Sequence, residues 1–343
     1  MKTLFAGLMH YRPLQKLGVL AILGLAVHLI LPQITALEHS WQVLKTLTPW
    51  AVGLAFVAQV SSYLGSGYML QAILDLAKQP IKLIRSTLIV LGAASVGMVA
   101  GGMVGSSAAI YRWTKEEGGH PEGATLASIL PSIFNNLVLV LVSLFGLVHL
   151  LILHDLSQAQ LIGFSAIIFI LGLVISLTIL ALRHRDRATA TVLWVTSRLA
   201  RLRKKSFDPD VSQASTHNLF SAWDTLRSGA WREPALGAVS NVTFDMLTLY
   251  FLFVAAGHNV SPGVLLAGYG LPLLLGKMAF VVPGGVGVVE GSMAALYNGL
   301  GVPNPITVVV VLGYRLISFW LPNFSGFPIA AYLQRERTKP VQE

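Results

Sequence analysis

The sequence predicts an all-α polytopic membrane protein, with about six full spans plus two oppositely oriented re-entrant hairpins in an inverted repeat. Three observations carry that expectation. The chain is too apolar for an ordinary soluble fold. Its apolar runs recur at close to the spanning length. Its lysines and arginines gather on one side of a membrane only if two glycine-rich runs turn back on themselves.

Composition sets the class. Of 343 residues, 54% are hydrophobic and 11% are charged, and mean hydropathy is +0.69. A soluble domain carries roughly 25% charged residues. There is no cysteine, which removes disulfides, thiolate metal sites and cysteine catalysis. The nine histidines are scattered without HExxH spacing, so no metal and no cofactor is expected. A GxxxxGK loop followed by Ser or Thr is absent, so no ATP motor is visible in the chain. The net charge of +9 is read as cytoplasmic loop bias and contact with anionic lipid, with no role in nucleic-acid binding.

Taken in order, the apolar runs are 17–34, 49–68, 86–111, 125–153, 161–182, 236–256, 263–297 and 305–333. A span needs ~20 apolar residues. The first run follows Lys2, Arg12 and Lys16 and has no small-x-small cleavage site, so it reads as an uncleaved first helix. If all eight runs simply crossed, Arg112, Lys115 and the basic 183–205 segment would fall outside, against the positive-inside rule. If runs 86–111 and 263–297 enter and return on one side, 21 of the 24 lysines and arginines fall inside. Lys45 then lies outside, and Lys277 and Arg315 lie within the membrane. Both termini are cytoplasmic in this arrangement.

The same arrangement contains two triplets of opposite orientation. The chain reads as one integral membrane domain, 1–343. The first repeat is 49–153 with hairpin 86–111, and the second is 236–333 with hairpin 263–297. Between them lies a basic cytoplasmic or interfacial segment, 183–235. The hairpin tips are alike, GGMVGSSAAIY at 101–111 against GGVGVVEGSMAALY at 284–297, allowing a three-residue gap. Inverted repeats with interrupted helices are a transporter signature. The plain alternative is chance likeness between glycine-rich apolar segments.

Candidate functional residues follow from stranded charge. Gly101, Gly102 and Gly105 mark the first tip, and Pro283, Gly284, Gly285 and Gly287 mark the second. Irregular backbone at membrane depth is tolerated only where protein buries it or it lines a wet cavity. Glu290 follows the second tip and is placed to start a short helix, where the helix dipole favours a carboxylate. It acts on substrate or caps its own hairpin. Arg315 lies near mid-depth of the last span and Lys277 in the descending arm of the second hairpin. A cation at the bilayer centre costs at least about 2.5–3.5 kcal/mol, so each needs a partner or water. One reading is a cationic pocket for an anionic or phosphate-bearing headgroup. The other is a static ion pair with Glu290, or, for Lys277, snorkelling to an interface.

Asp245 shares a helical stripe with Ser240, Asn241 and Thr248. A second stripe holds Ser128, Ser132, Asn135 and Asn136. The serines and asparagines read as interhelical hydrogen-bond glue, and Asp245 as a substrate or coupling residue. Arg112 closes the first hairpin on the inner side and reads as positive-inside anchoring. Residues 188–205 interleave apolar and basic side chains, as suits a helix on the inner leaflet, with Trp194, Trp223 and Trp231 at the interface.

The PGG-x-G-x-x-E element at Pro283 to Glu290, with the glycine-bounded first hairpin and Arg112 after it, resembles the flippase-like membrane family. That family includes the transmembrane region of lysylphosphatidylglycerol synthase, the bacterial multiple peptide resistance factor. The likeness runs from about residue 15 to 333. It implies movement of a lipid or lipid-linked group between leaflets of the bacterial cytoplasmic (inner) membrane. It also implies a possible separate lipid-synthesising enzyme as partner. Relatives with synthase activity carry a soluble aminoacyl-transfer domain after the membrane part. Here only ten residues follow the last run, so no enzyme activity is expected. Relatives often have an acidic residue shortly before the arginine, where this chain has Ser106, Ser107 and Ala108. Two other readings stand beside transport: a membrane-embedded lipid-modifying transferase, and a non-transporting partner of a separate synthase. Lipid identity and oligomeric state have no signature in the chain.

Overall fold

A computed structural model describes residues 45–100, 102–117, 121–153, 158–202, 224, 229–278 and 283–336. The expected run 17–34, Gly101, Trp223 and the basic residues 203–205 lie outside the described residues. Every regular element among them is helical. Among the described residues, three helical stretches are long and apolar enough to cross a membrane: Gly123–Ile152, Arg232–Ala255 and Asn304–Arg335.

The first group is α1 (Pro49–Leu76), α2 (Leu83–Val99), α3 (Met103–Glu116) and α4 (Pro121–Leu153). α1 starts with proline at its first position, where the missing N–H is an orphan anyway. α2 and α3 are 17 and 14 residues long, about 25 and 21 Å, and both are short for a full crossing. They are joined through Gly102, whose φ of 66° and ψ of −130° suit only glycine. Arg85, at the start of α2, pairs with Glu117, just past α3. Both ends of this hairpin therefore lie together, opposite its tip.

α5 (Gln158–Arg183) and α6 (Arg185–Leu202) follow. α6 covers most of the expected basic amphipathic stretch, and its Arg198 stacks over exposed Trp194. The second group is α7 (Arg232–Ala255), α8 (Pro262–Met278), a short turn Pro283–Gly285, α9 (Val288–Gly299), α10 (Asn304–Arg315) and α11 (Leu321–Glu336). α8 and α9 form the second hairpin. Its far end is closed by Tyr297, whose ring packs on Gly268 and whose hydroxyl points at the Leu265 carbonyl. α10 passes into α11 through a wide π-type turn, Leu316–Trp320. There the Ser318 carbonyl accepts the Tyr63 hydroxyl of α1 at 3.1 Å.

Lipid offers no hydrophobic drive between helices, so small residues let backbones approach. α1 and α7 run antiparallel in this way. The Thr48 N–H reaches the Ala255 carbonyl, Thr248 reaches the Ala55 carbonyl, and Asn241 reaches Ser62. A Cβ on Gly65 would sit 2.7 Å from the Asn241 nitrogen, and one on Gly237 would sit 2.7 Å from the Met69 Cα. α4 packs on α8 through Gly146 against Ala267 and Gly270 against Ser143. α2 packs on α11 through Gly326 against Leu91 and Ser95, with Ser95 donating to the Asn323 carbonyl at 2.7 Å.

Candidate functional site: a buried ion pair at the second hairpin tip

The second tip is glycine by necessity. Gly284, Gly285 and Gly287 have φ of 63°, 63° and 82°, a region costly for any side chain. Gly284 also lies under the Phe319 ring, and Gly285 against the Gly276 backbone. Pro283 begins the short turn.

This backbone aims Glu290 at its neighbours. Glu290 occupies the third position of α9, and its Oε2 accepts the Gly287 N–H at 2.6 Å. That is the back-reaching half of a capping box. Its Oε1 pairs with Arg315 Nε at 2.6 Å. Arg315 Nη2 donates to the Gly284 carbonyl at 3.0 Å, and the guanidinium stacks on Phe319 at 4.1 Å. Glu290 is 3% exposed and Arg315 4%. The end of α10 and the turn after it thus grip the hairpin: Arg315 holds the tip carbonyl and the first-turn carboxylate, and Phe319 backs the guanidinium. Of the two expected partners for Glu290, the structure brings Arg315 and not Lys277. In this conformation the Arg315 contacts are internal.

Lys277 lies at the end of α8, exposed, and donates to Asn136 Oδ1 of α4 at 2.6 Å. Asn136 was expected as glue, and here it steadies a cation. Asp245, in the middle of α7, faces the interior beside the ion pair. Its Oδ2 accepts hydroxyls from Tyr269 of α8 at 2.8 Å and Tyr314 of α10 at 2.7 Å. The Gln59 amide of α1 lies beside the same carboxylate. Asn241, by contrast, is spent on Ser62, which is interhelical glue as expected. At the first tip, Gly102 carries the positive φ, and Gly105 lies where a Cβ would meet the Ala100 carbonyl at 2.6 Å. Arg112 is exposed on α3 and paired with Glu116 four residues on.

Gln59, Tyr63, Tyr269, Tyr314 and Phe319 escaped the sequence reading. A hint was available: Gln59 and Tyr63 are four apart on one face of an apolar helix, and Tyr314 adjoins the stranded arginine.

An apolar groove of about 560 Å³ opens beside this hairpin, between α5, α8 and α9. Ile167, Leu171, Leu271, Leu275 and Leu296 line it. Its Ser292 hydroxyl is spent on the Val288 carbonyl at 2.6 Å. Among the described residues no group of three or more His, Asp or Glu could hold a metal.

Comparison with known proteins places this architecture. A UPF0104 membrane protein of Pyrococcus horikoshii is 25% identical over 217 residues, 58% of this chain and 61% of that protein. One from Methanothermobacter thermautotrophicus is 24% identical over 201 residues, 56% of this chain and 58% of its own length. The chain spans about three-fifths of the length of these curated relatives. A second protein of the latter organism is 36% identical over 82 residues, 24% of each chain. The model of the lysylphosphatidylglycerol synthase TM region matches residues 17–326, and the chain belongs to this family of multi-pass membrane regions.

Proposed function

We propose that the chain moves a polar-headgroup lipid, or a lipid-linked group, between the leaflets of the cytoplasmic membrane. The observation that carries this reading is the pair of broken helical hairpins, the second held at its tip by the buried Arg315–Glu290 pair. Family membership supports a lipid as substrate. A separate enzyme that makes the headgroup is the partner this reading implies.

The packing supports an inverted repeat. α1 and α7 would be equivalent, and their contact is self-complementary: Gly65 meets Asn241 as Gly237 meets Met69. Shifting each residue number of the first contact to its equivalent by 172 yields the second. Likewise α4 on α8, through Gly146 and Ser143, matches α11 on α2, through Gly326 and Asn323, with both pairs 180 apart. Because α1 and α7 are antiparallel, a two-fold axis exchanging them is perpendicular to both and lies in the membrane plane, the geometry of inverted-repeat transporters. The two hairpins then enter from opposite faces, giving six full spans with both termini inside, within one membrane domain.

In this arrangement α8 descends from the outer face, and Lys277 stands about 23 Å along it. Lys277 is the cation open to a phosphate-bearing headgroup, steadied by Asn136. The groove beside Leu271 and Leu296 accommodates acyl chain. Arg315 and Glu290 hold the tip closed, and alternation proceeds by rocking one repeat on the other. The test is transbilayer redistribution of a fluorescent phosphatidylglycerol in phosphatidylethanolamine–phosphatidylglycerol proteoliposomes. Wild type should speed redistribution over empty vesicles, and Lys277→Gln should slow it several-fold. Equal rates in wild type, Lys277→Gln and Arg315→Ala vesicles would overturn the reading.

A further inference from the structure

Asp245 carries a half-buried carboxylate that forms no ion pair among the described residues. Among the described residues no lysine or arginine pairs with it, because Arg315 is engaged by Glu290 and Lys277 by Asn136. Two neutral hydroxyls, Tyr269 and Tyr314, donate to it, the Gln59 amide lies beside it, and Arg315 acts on it without pairing with it. Gln59 is 5% exposed, and its Oε1 is buried with no hydrogen-bond partner. An unmade bond on a buried amide oxygen costs about 1–3 kcal/mol. A native structure keeps such an atom for a reason.

Proton chemistry supplies one. An amide's two ends are nearly the same shape, but one donates and the other accepts. With Asp245 ionised, the Gln59 amide can turn its nitrogen to the carboxylate and donate. With Asp245 protonated, a new O–H bond makes the carboxyl a donor. Rotation of the amide by half a turn then offers it the unused Oε1. The same cage satisfies both states. We propose that Asp245 and Gln59 form a proton-binding site that couples lipid movement to a transmembrane proton gradient. This rests on the transport reading above.

The site is wired to the moving part. Tyr269 lies on the arm of the second hairpin, and Tyr314 adjoins the arginine that clamps its tip. Hydrogen bonds to an ionised acceptor are about twice as strong as neutral ones. Ionised Asp245 therefore holds α8 and α10 onto α7, and protonation loosens both. The groups bearing on Asp245 are Tyr63 from α1, Tyr269 and Lys277 from α8, and Tyr314 and Arg315 from α10. α4, the other helix against α7, brings no charge to bear on it among the described residues.

Two readouts test this on the full chain in lipid. Infrared difference spectra between acid and alkaline buffer should show, apart from the stretch of the water-exposed carboxyls, a separate higher-frequency protonated-carboxyl stretch in wild type and in Glu290→Gln. Asp245→Asn should lose it, and Gln59→Leu should shift it in frequency. In proteoliposomes carrying fluorescent phosphatidylglycerol, a pH gradient should accelerate redistribution several-fold. Asp245→Asn should run at one rate with or without the gradient, and a protonophore should abolish the wild-type response. A band that survives Asp245→Asn, or that ignores Gln59→Leu, overturns the site. Acceleration by a sodium gradient in place of a proton gradient overturns it too. Should the band behave as stated while no lipid moves in any vesicle, the transport reading fails and the coupling falls with it.

Discussion

Removing Arg315 alone should cost more than removing the pair it belongs to. In Arg315→Leu, Glu290 remains buried at 3% exposure with only the Gly287 N–H to satisfy it. The Gly284 carbonyl and the Phe319 face also lose their partner. Breaking a buried ion pair from one side costs about 3–5 kcal/mol, because an uncompensated charge stays behind. Glu290→Leu strands the guanidinium instead and should cost a similar amount. In the double variant no charge is left. What remains unpaired is one N–H at Gly287 and one carbonyl at Gly284, about 1 kcal/mol each if water or backbone shifts reach them. The double variant should therefore lose roughly 2–3 kcal/mol, well short of the sum of the singles. The assay is equilibrium unfolding of reconstituted protein in mixed lipid–SDS micelles, followed by tryptophan fluorescence. If the two single losses simply add in the double variant, the pair is not the clamp described here.

Three further outcomes follow from the packing and the tip. Gly65→Ala and Gly237→Ala each drive a methyl to 2.7 Å from the partner backbone, so both should destabilise by about 1–3 kcal/mol and by equal amounts, as the unfolding assay reads. Gly284→Ala meets both a φ of 63° and the Phe319 ring, and should lose at least about 1 kcal/mol more than Gly291→Ala, which faces open space. Phe319→Ala in the same background should recover part of that excess, as a double-variant comparison would measure.

Much of this site was legible because it breaks rules. Glycines clustered in an apolar run announce positive φ, and Gly284, Gly285 and Gly287 have it. Charge without water demands a partner, and Arg315 finds Glu290 only 25 positions away, within the same triplet. The hairpin breaks at Gly102 and at 284–287 fall inside the expected runs 86–111 and 263–297. The basic stretch 188–205 is helical through Leu202, because its apolar and basic residues repeat at helical spacing. What stayed hidden is tertiary. Tyr314 meets Asp245 across 69 positions and Lys277 meets Asn136 across 141. A tyrosine in an apolar helix looks the same whether it fills space or donates a hydrogen bond. The π-type turn at Leu316–Trp320 has no proline or glycine to mark it. It widens where Arg315 turns to the tip and where the Ser318 carbonyl meets Tyr63, and neither demand is local.

In the proposed transport route the two hairpins open toward opposite sides of the bilayer. The chain has no cysteine, so single cysteines report without background. Lys115, near the end of α3, and Asn298, near the end of α9, mark the two open ends. A membrane-impermeant maleimide added to intact cells should label Asn298→Cys and spare Lys115→Cys until the membrane is opened. Labelling of both positions from the same side would contradict the inverted arrangement and the transport route built on it.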